Sequence, residues 1–180
     1  MIAEAAWQEF SLRKVLFIPS GDTPNKDMHH IDKNIRYAMV EKAIEGNGHF
    51  MISPIERDRQ GPSYTVDTIR ILQREFGDDY EFYFICGTDA VADLPTWKYN
   101  RELLSTCHFI CASRPGNENE IQKSIDYFGE LGRKKIHFLK TPELAISSTI
   151  LRDWIAEKRS VRYLIPDAVI DMIHSNKLYE

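Results

Sequence analysis

Phe82-Tyr83-Phe84-Ile85-Cys86-Gly87-Thr88-Asp89 decides the fold. Aromatic and β-branched side chains favour a pleated strand, and Gly87 ends the run. Every position from Phe82 to Cys86 is apolar or aromatic, without alternation. Such a strand is covered on both faces, as parallel strands are. Similar short runs lie on either side. Phe109 to Ala112 is cut off by Arg114-Pro115-Gly116, and Ile136 to Leu139 follows. Upstream, Val15 to Ile18 is ended by Pro19-Ser20-Gly21, and Phe50 to Ile52 is stopped by Pro54.

Helical spacing fills the intervals. Ile2 to Phe10 has an alanine-rich apolar side. Ile31 to Ile44 keeps the period and meets Gly46 as a stop. Thr65 to Phe76 sets Val66, Ile69 and Leu72/Gln73 on one side before Gly77. Arg101 to Ser105 reads as a short helical turn, and Glu118 to Leu131 as a helix. Ser148 to Lys158 and Pro166 to Ser175 close the chain, the latter with proline in its first turn. Strands alternating with helices predict an α/β fold: a doubly wound, mainly parallel sheet with helices on both faces and a small C-terminal helical extension. The 180 residues suit a single domain over 1–180.

The bulk numbers bound the function. The chain is 43% hydrophobic and 28% charged, an ordinary globular balance. Twenty-three basic against 27 acidic residues give a net charge of −4, which argues against a non-specific nucleic-acid coat but allows a local phosphate pocket. Three cysteines, Cys86, Cys107 and Cys111, point to no disulfide framework and to a reducing, cytoplasmic setting. They match no zinc spacing and read best as small buried hydrophobes. No apolar run reaches membrane-spanning length, and no signal-peptide pattern opens the sequence.

In a wound sheet, ligands bind beyond the carboxyl ends of the strands. The chemistry-bearing residues fall on those loops. Ser147 and Ser148 begin a helix with Arg152 one turn in. That is an anion site or a plain N-cap, and the N-cap is the commoner case. Gly87 allows close backbone approach, and Asp89 offers a carboxylate to a ribose or to Mg²⁺. Trp97, after Leu94-Pro95-Thr96, is a stacking platform or a core side chain. Ser63 or Thr65 reads as the N-cap of the helix from Thr65. Arg57 and Arg59 are phosphate contacts or surface charges paired with Glu56 and Asp58, usually the latter. His29-His30 reads as a solvated loop pair, and His108, His137 and His174 receive no role.

Taken in order, these pieces resemble one family, the nicotinate-nucleotide adenylyltransferases, within the Rossmann-like nucleotidylyltransferases. The residues that carry the resemblance are Phe17-Ile-Pro-Ser-Gly21, Arg57-Asp-Arg-Gln-Gly-Pro-Ser-Tyr-Thr-Val-Asp-Thr68, Cys86-Gly-Thr-Asp-Ala90, Leu94-Pro-Thr-Trp97, Ser113-Arg-Pro-Gly116, Ile146-Ser-Ser-Thr-Ile-Leu-Arg152 and Val161-Arg-Tyr-Leu-Ile-Pro166. The resemblance implies transfer of AMP from ATP to nicotinate mononucleotide, giving deamido-NAD and pyrophosphate with Mg²⁺ helping. It implies no covalent enzyme intermediate and names no catalytic or metal-ligating side chain. On this analogy Trp97 stacks on the nicotinate ring, and backbone amides near Thr65 and Lys98 receive its carboxylate. Gly87 and Asp89 line the nucleotide crevice. Ser147, Ser148 and Arg152 hold ATP phosphates, with Arg114 assisting, and Lys26 stands where the family often has a basic residue. The partners implied are small molecules, with self-association left open.

The sequence departs from the family at its start. The family opens with a strand and Gly-x-Phe-x-Pro-x-His-x-Gly-His, whereas Met1-Ile2-Ala3-Glu4-Ala5-Ala6 resembles the helix that follows that motif. The expectation is an N-terminally truncated domain, short of about 15–20 residues, with the start codon of the gene lying upstream. The alternatives are an inactive relative that retains a mononucleotide pocket, and a nucleotidylyltransferase for another substrate such as nicotinamide mononucleotide.

Overall fold

Apolar runs and helical periods become elements close to where the sequence places them. The computed structural model describes residues 1–21, 31–113, 118–140 and 146–179. In chain order the elements are α1 (Ile2–Glu9), β1 (Val15–Phe17), α2 (Lys33–Ile44), β2 (Phe50–Ile52), α3 (Thr65–Phe76), β3 (Phe82–Gly87), α4 (Thr88–Asp93) running into a 3₁₀ turn (Leu94–Thr96), α5 (Asn100–Thr106), β4 (Cys107–Ser113), α6 (Glu118–Phe128), α7 (Glu130–Lys135), β5 (Ile136–Lys140), α8 (Ser148–Ala156) and α9 (Asp167–Ser175). The α/β class holds. The strands pair as two sheets, β1 with β2, and β3-β4-β5 in that order. The chain divides into two compact units: residues 1–15 with 63–143, and residues 16–62 with 144–180.

The first unit is organised by β3, β4 and β5. Both pairings are parallel, with Phe84 opposite Phe109, Cys86 opposite Cys111, and Cys111 opposite Phe138. Alternation along each strand sends Tyr83, Ile85, His108, Ile110, His137 and Leu139 to one face. There α1 covers them: Ala6, Ile110 and Leu139 are fully buried, with Ala5, Phe10, Leu12, Tyr83 and Ile85 packed around them. Phe84, Cys86, Cys107, Phe109 and Cys111 occupy the other face, where Cys107, Phe109 and Cys111 are fully buried. Burial on both faces explains why no strand alternates between apolar and polar. It also pushes the thiols of Cys86 and Cys107 up to about 12 and that of Cys111 to about 11, so all three are inert apolar filler.

The helix over Glu118 to Leu131 is broken. Gly129 adopts φ 64°, and α7 starts afresh beyond it. Gly132 is buried where the new helix crosses the old one. A methyl group there would meet the Ile125 carbonyl oxygen at 2.6 Å and the Ile125 Cα at 3.0 Å. Both are backbone atoms, which cannot swing aside. Gly132→Ala is therefore expected to destabilise the fold by about 1–3 kcal/mol, read as a lower urea midpoint at unchanged slope.

The second unit joins β1 and β2 through the Ser53 amide on the Phe17 carbonyl at 2.9 Å and the Phe17–Phe50 ring contact. Its core is Ile155, Val161 and Ile173, with Met39, Trp154, Ile165 and Ile170 against them. Asp32 caps α2 through its carboxylate, which accepts from the Asn34 amide at 2.8 Å. Arg36 on that helix donates to the carbonyls of Ser20 (2.7 Å), Gly21 (2.8 Å) and Ile31 (3.3 Å).

A polar chain crosses the α1-covered face of the three-stranded sheet near the strand starts. Lys135 Nζ lies 2.8 Å from His108 Nε2, and His108 Nδ1 lies 2.8 Å from His137 Nε2. An ammonium can only donate, so His108 accepts on Nε2 and carries its proton on Nδ1, which donates to His137. Both rings are thus neutral, and a proton added to either Nε2 would face another donor. Burial, and behind it the Lys135 charge, holds both imidazoles below the ordinary value of 6.5, with Glu81 pulling His108 weakly the other way. The unfolded chain takes up these protons first as pH falls. Stability is therefore fully present above about pH 6.5 and is lost as pH drops through the window below it. Urea midpoints at pH 7.5 and 5.5 are expected to differ, and His108→Gln to shrink the difference.

Candidate functional site

The amide-rich start of α3 is the first feature of the site. Val66, Ile69 and Leu72 are buried along one side, with Thr68 between them, so core packing fixes the helix axis. The N-cap is Tyr64, with no side-chain cap bond, where a capping hydroxyl from Ser63 or Thr65 was expected. The Tyr64 backbone is extended and its carbonyl accepts from the amides of Asp67 (3.0 Å) and Thr68 (3.2 Å). Thr65 instead opens the helix, where amides lack intrahelical acceptors and the dipole is positive. The Ser63 hydroxyl oxygen beside it is buried with no hydrogen-bond partner among the described residues, the signature of a group left for a water or ligand.

Trp97 and Lys98 belong to the same unit. The 3₁₀ turn Leu94–Thr96 holds the Trp97 amide on the Leu94 carbonyl at 3.0 Å. Asn100 Nδ2 donates to the Pro95 carbonyl at 2.6 Å, which closes the turn from the far side. The indole packs edge-on against Phe84 (6.0 Å, 81°) and Phe109 (6.3 Å, 65°). It is partly buried, neither a free platform nor a sealed core residue. The Lys98 ammonium sits 4.7 Å from the Tyr64 ring centre and 5.4 Å from that of Tyr99. The structure thus brings Thr65 and Lys98 to neighbouring positions through Tyr64.

Gly87 is the last residue of β3 and the N-cap of α4, with φ −84° and ψ 173°. Any residue adopts those angles, so glycine is not there for backbone freedom. A Cβ at this position would meet none of the described residues within 4 Å. Among them, the lack of a side chain leaves open space above the strand end. Asp89 is exposed in the first turn of α4, and the buried Thr88 between them turns inward.

Ser147, Ser148 and Arg152 lie in the second unit. Ser147 is the N-cap of α8, its hydroxyl oxygen accepting from the Ile150 amide at 3.2 Å. That is the plain cap the sequence allowed, and the Ser147 hydroxyl proton remains available to donate. Ser148 is the first, exposed residue of the helix. Arg152 reaches back to Thr149 Oγ1 at 3.3 Å, which turns its guanidinium toward the helix start. Arg114 and Lys26 lie outside the described residues. Arg57 pairs with Asp58 at 2.7 Å and covers the Tyr37 ring at 4.3 Å, the surface pairing expected of it.

A groove of about 910 Å³ beside α8 and α9 takes in none of the expected residues. Its arginines are already engaged, Arg159 on the Trp154 ring at 4.0 Å and Arg162 with Asp167 at 3.6 Å. Among the described residues no three His, Cys, Asp or Glu side chains group so as to hold a metal, and no helix is long and apolar enough to cross a membrane. Sequence reasoning missed Tyr64, Tyr99 and Arg70 at the site. The (i, i+3) spacing of Asp67 and Arg70 was the one available hint.

A family model described as cytidylyltransferase-like matches residues 1–153. The probable nicotinate-nucleotide adenylyltransferase of Moorella thermoacetica is 44% identical over 179 residues, spanning 98% of this chain and 82% of the relative. That of a Thermoanaerobacter species is 41% identical over 180 residues, spanning 99% and 85%. Two structures of the Plasmodium falciparum nicotinic acid mononucleotide adenylyltransferase, complexed with APC and with NaAD, superpose with TM-scores of 0.71 and 0.74 over 99% of this chain and 90% of theirs. At 19% identity those two speak for the fold alone. With the identity of its bacterial relatives and the extent of the match, the chain belongs to the nicotinate-nucleotide adenylyltransferase family.

Proposed function

We propose that this chain transfers the adenylyl group of ATP to the phosphate of nicotinate mononucleotide, releasing pyrophosphate and forming deamido-NAD, in the cytoplasm. The observation that carries the reading is the grouping at the start of α3. A positive helix end, an unpartnered buried hydroxyl and a lysine ammonium stand together there, with the indole next in the chain. These are the parts needed to receive a flat aromatic ring that bears a carboxylate. Trp97 supplies the stacking face and the Thr65 and Lys98 amides the donors.

On this reading Gly87 and Asp89 face the nucleotide. The open space above Gly87 admits a ribose or a phosphate, and Asp89 accepts from ribose hydroxyls. Ser147, Ser148 and Arg152 take the ATP phosphates, using the amides of a helix start, hydroxyl donors and a guanidinium.

A phosphate oxygen of the mononucleotide attacks the α-phosphorus, and pyrophosphate departs on the opposite side. No side chain forms a bond. The protein aligns the two nucleotides and stabilises the charge that spreads over the phosphoryl oxygens. Asp89, exposed in the first turn of α4, is the described carboxylate that would hold Mg²⁺ with the ATP phosphates. The ion, when bound, neutralises phosphate charge.

Incubation with ATP, Mg²⁺ and nicotinate mononucleotide is expected to yield deamido-NAD and pyrophosphate in equal amounts by chromatography. Absence of both products sinks the reading. Trp97→Ala is expected to cut kcat/KM for the mononucleotide about tenfold, the worth of a ~1.4 kcal/mol stacking contact. Gly87→Ala tests the nucleotide side. Its methyl group clashes with none of the described residues, so the melting temperature should hold while KM for ATP rises. A lowered melting temperature with unchanged KM would show instead that the glycine serves the fold.

A further inference from the structure

We propose that the side-chain ammonium of Lys98 reads the negative charge on the nicotinate ring and sets the preference for the carboxylate over the neutral amide. This rests on the adenylyl-transfer reading and goes beyond it. The family resemblance uses only backbone amides at this position.

The geometry is specific to the side chain. A surface lysine ordinarily sweeps through water on four rotatable bonds. Here the ammonium is held over two tyrosine faces, 4.7 Å from the centre of Tyr64 and 5.4 Å from that of Tyr99. Cations settle there because the ring face is electron-rich. Tyr64 is the residue from which α3 starts. The ammonium is thus fixed beside the positive end of the helix, and the two fields add at the place a carboxylate would occupy.

The second ring is itself braced. Tyr99 is the N-cap of α5 and has φ 55°. That is left-handed backbone, which a tyrosine adopts at a cost and keeps only when its surroundings impose it. Arg70 on α3 packs against the ring. Its guanidinium lies 5.1 Å from the Tyr99 ring and makes a two-pronged bond to Glu102 on α5 at 2.7 and 2.8 Å. A third bond reaches Asp67 at 2.8 Å. Arg70 and Tyr99 are positioning residues that lock α3 to α5 and set the ring on which Lys98 rests. Arg70 also engages both nearby carboxylates, Asp67 and Glu102. Among the described residues Lys98 pairs with no carboxylate, which leaves its charge to act on a ligand.

Calorimetric titration of the full chain with nicotinate mononucleotide and with nicotinamide mononucleotide tests this through the ratio of the two dissociation constants. In Lys98→Met that ratio is expected to fall about tenfold, the effect of one partly screened charge pair. The fall should come almost wholly from weaker binding of the carboxylate form. Lys98→Arg keeps most of the ratio because it keeps the charge. Tyr99→Leu, which frees the ammonium without removing it, falls between. General damage to the fold would weaken both ligands together and leave the ratio alone. A Lys98→Met chain with the wild-type ratio overturns the inference and leaves the adenylyl-transfer reading standing. A wild-type chain that binds neither mononucleotide overturns both.

Discussion

The parallel pairing of β3, β4 and β5 is the constraint on which the first unit depends. Parallel strands must leave their sheet at the same end. Registering Gly87 with Ala112 and Ala112 with Leu139 therefore brings the ends of three strands to one rim. With both faces largely covered, the chain leaves polar groups open to a ligand chiefly where a strand stops. Gly87 and Asp89 stand at the end of β3. Trp97 returns from α4 and the 3₁₀ turn to rest on Phe84 and Phe109 of the same sheet. The ring proposed to meet the substrate is thus carried by the core itself, through two edge contacts that fix its plane.

The sheet also explains what was legible in the sequence. β2, α3 and the start of β3 fall at the residues their patterns indicate, because apolar runs and a three- to four-residue period are written directly in side-chain type. α4 was not legible. Six residues, Thr88 to Asp93, carry too little period to separate a helix from a turn, and only packing against α6 and β4 makes them helical. The break at Gly129 was hidden for a related reason. The apolar spacing of α6 runs smoothly into Leu131, and what ends it is a close backbone crossing at Gly132. The N-cap of α3 was misplaced by one residue because hydroxyls are the usual caps. Here Tyr64 takes the place, and its ring serves Lys98 instead of the helix.

The site was legible in a different way. Gly87, Asp89, Trp97 and the Ser147-Ser148 pair each had an ordinary structural explanation, and only their order along the chain spoke for function. The structure separates the two kinds of content in each residue. Ser147 is both a cap and a remaining donor. Trp97 is both packed and partly open. At Gly87 neither the backbone angles nor the described surroundings need a glycine. Tyr99 had no signal and Arg70 only its (i, i+3) spacing to Asp67, because a left-handed tyrosine with a guanidinium over its ring depends on α3 and α5 lying side by side.

The two ends of the same sheet do opposite work. Tyr83, His108 and His137 lie one residue into β3, β4 and β5, under α1, where a directed chain of neutral rings satisfies buried nitrogens. The opposite rim carries Gly87, an exposed Asp89 and open space. Changes at the strand starts disturb a packed, hydrogen-bonded network and so act on folding stability. Changes at the strand ends meet little packing among the described residues, and on the proposed reading they act on what binds. The cation-on-tyrosine contacts at the start of α3 stand between these extremes. Each is worth only about 0.5–1 kcal/mol at an exposed site, too little to hold two helices together alone. Their consequence is directional: they keep a positive charge at one place, and on the proposed reading that placement bears on ligand choice more than on stability.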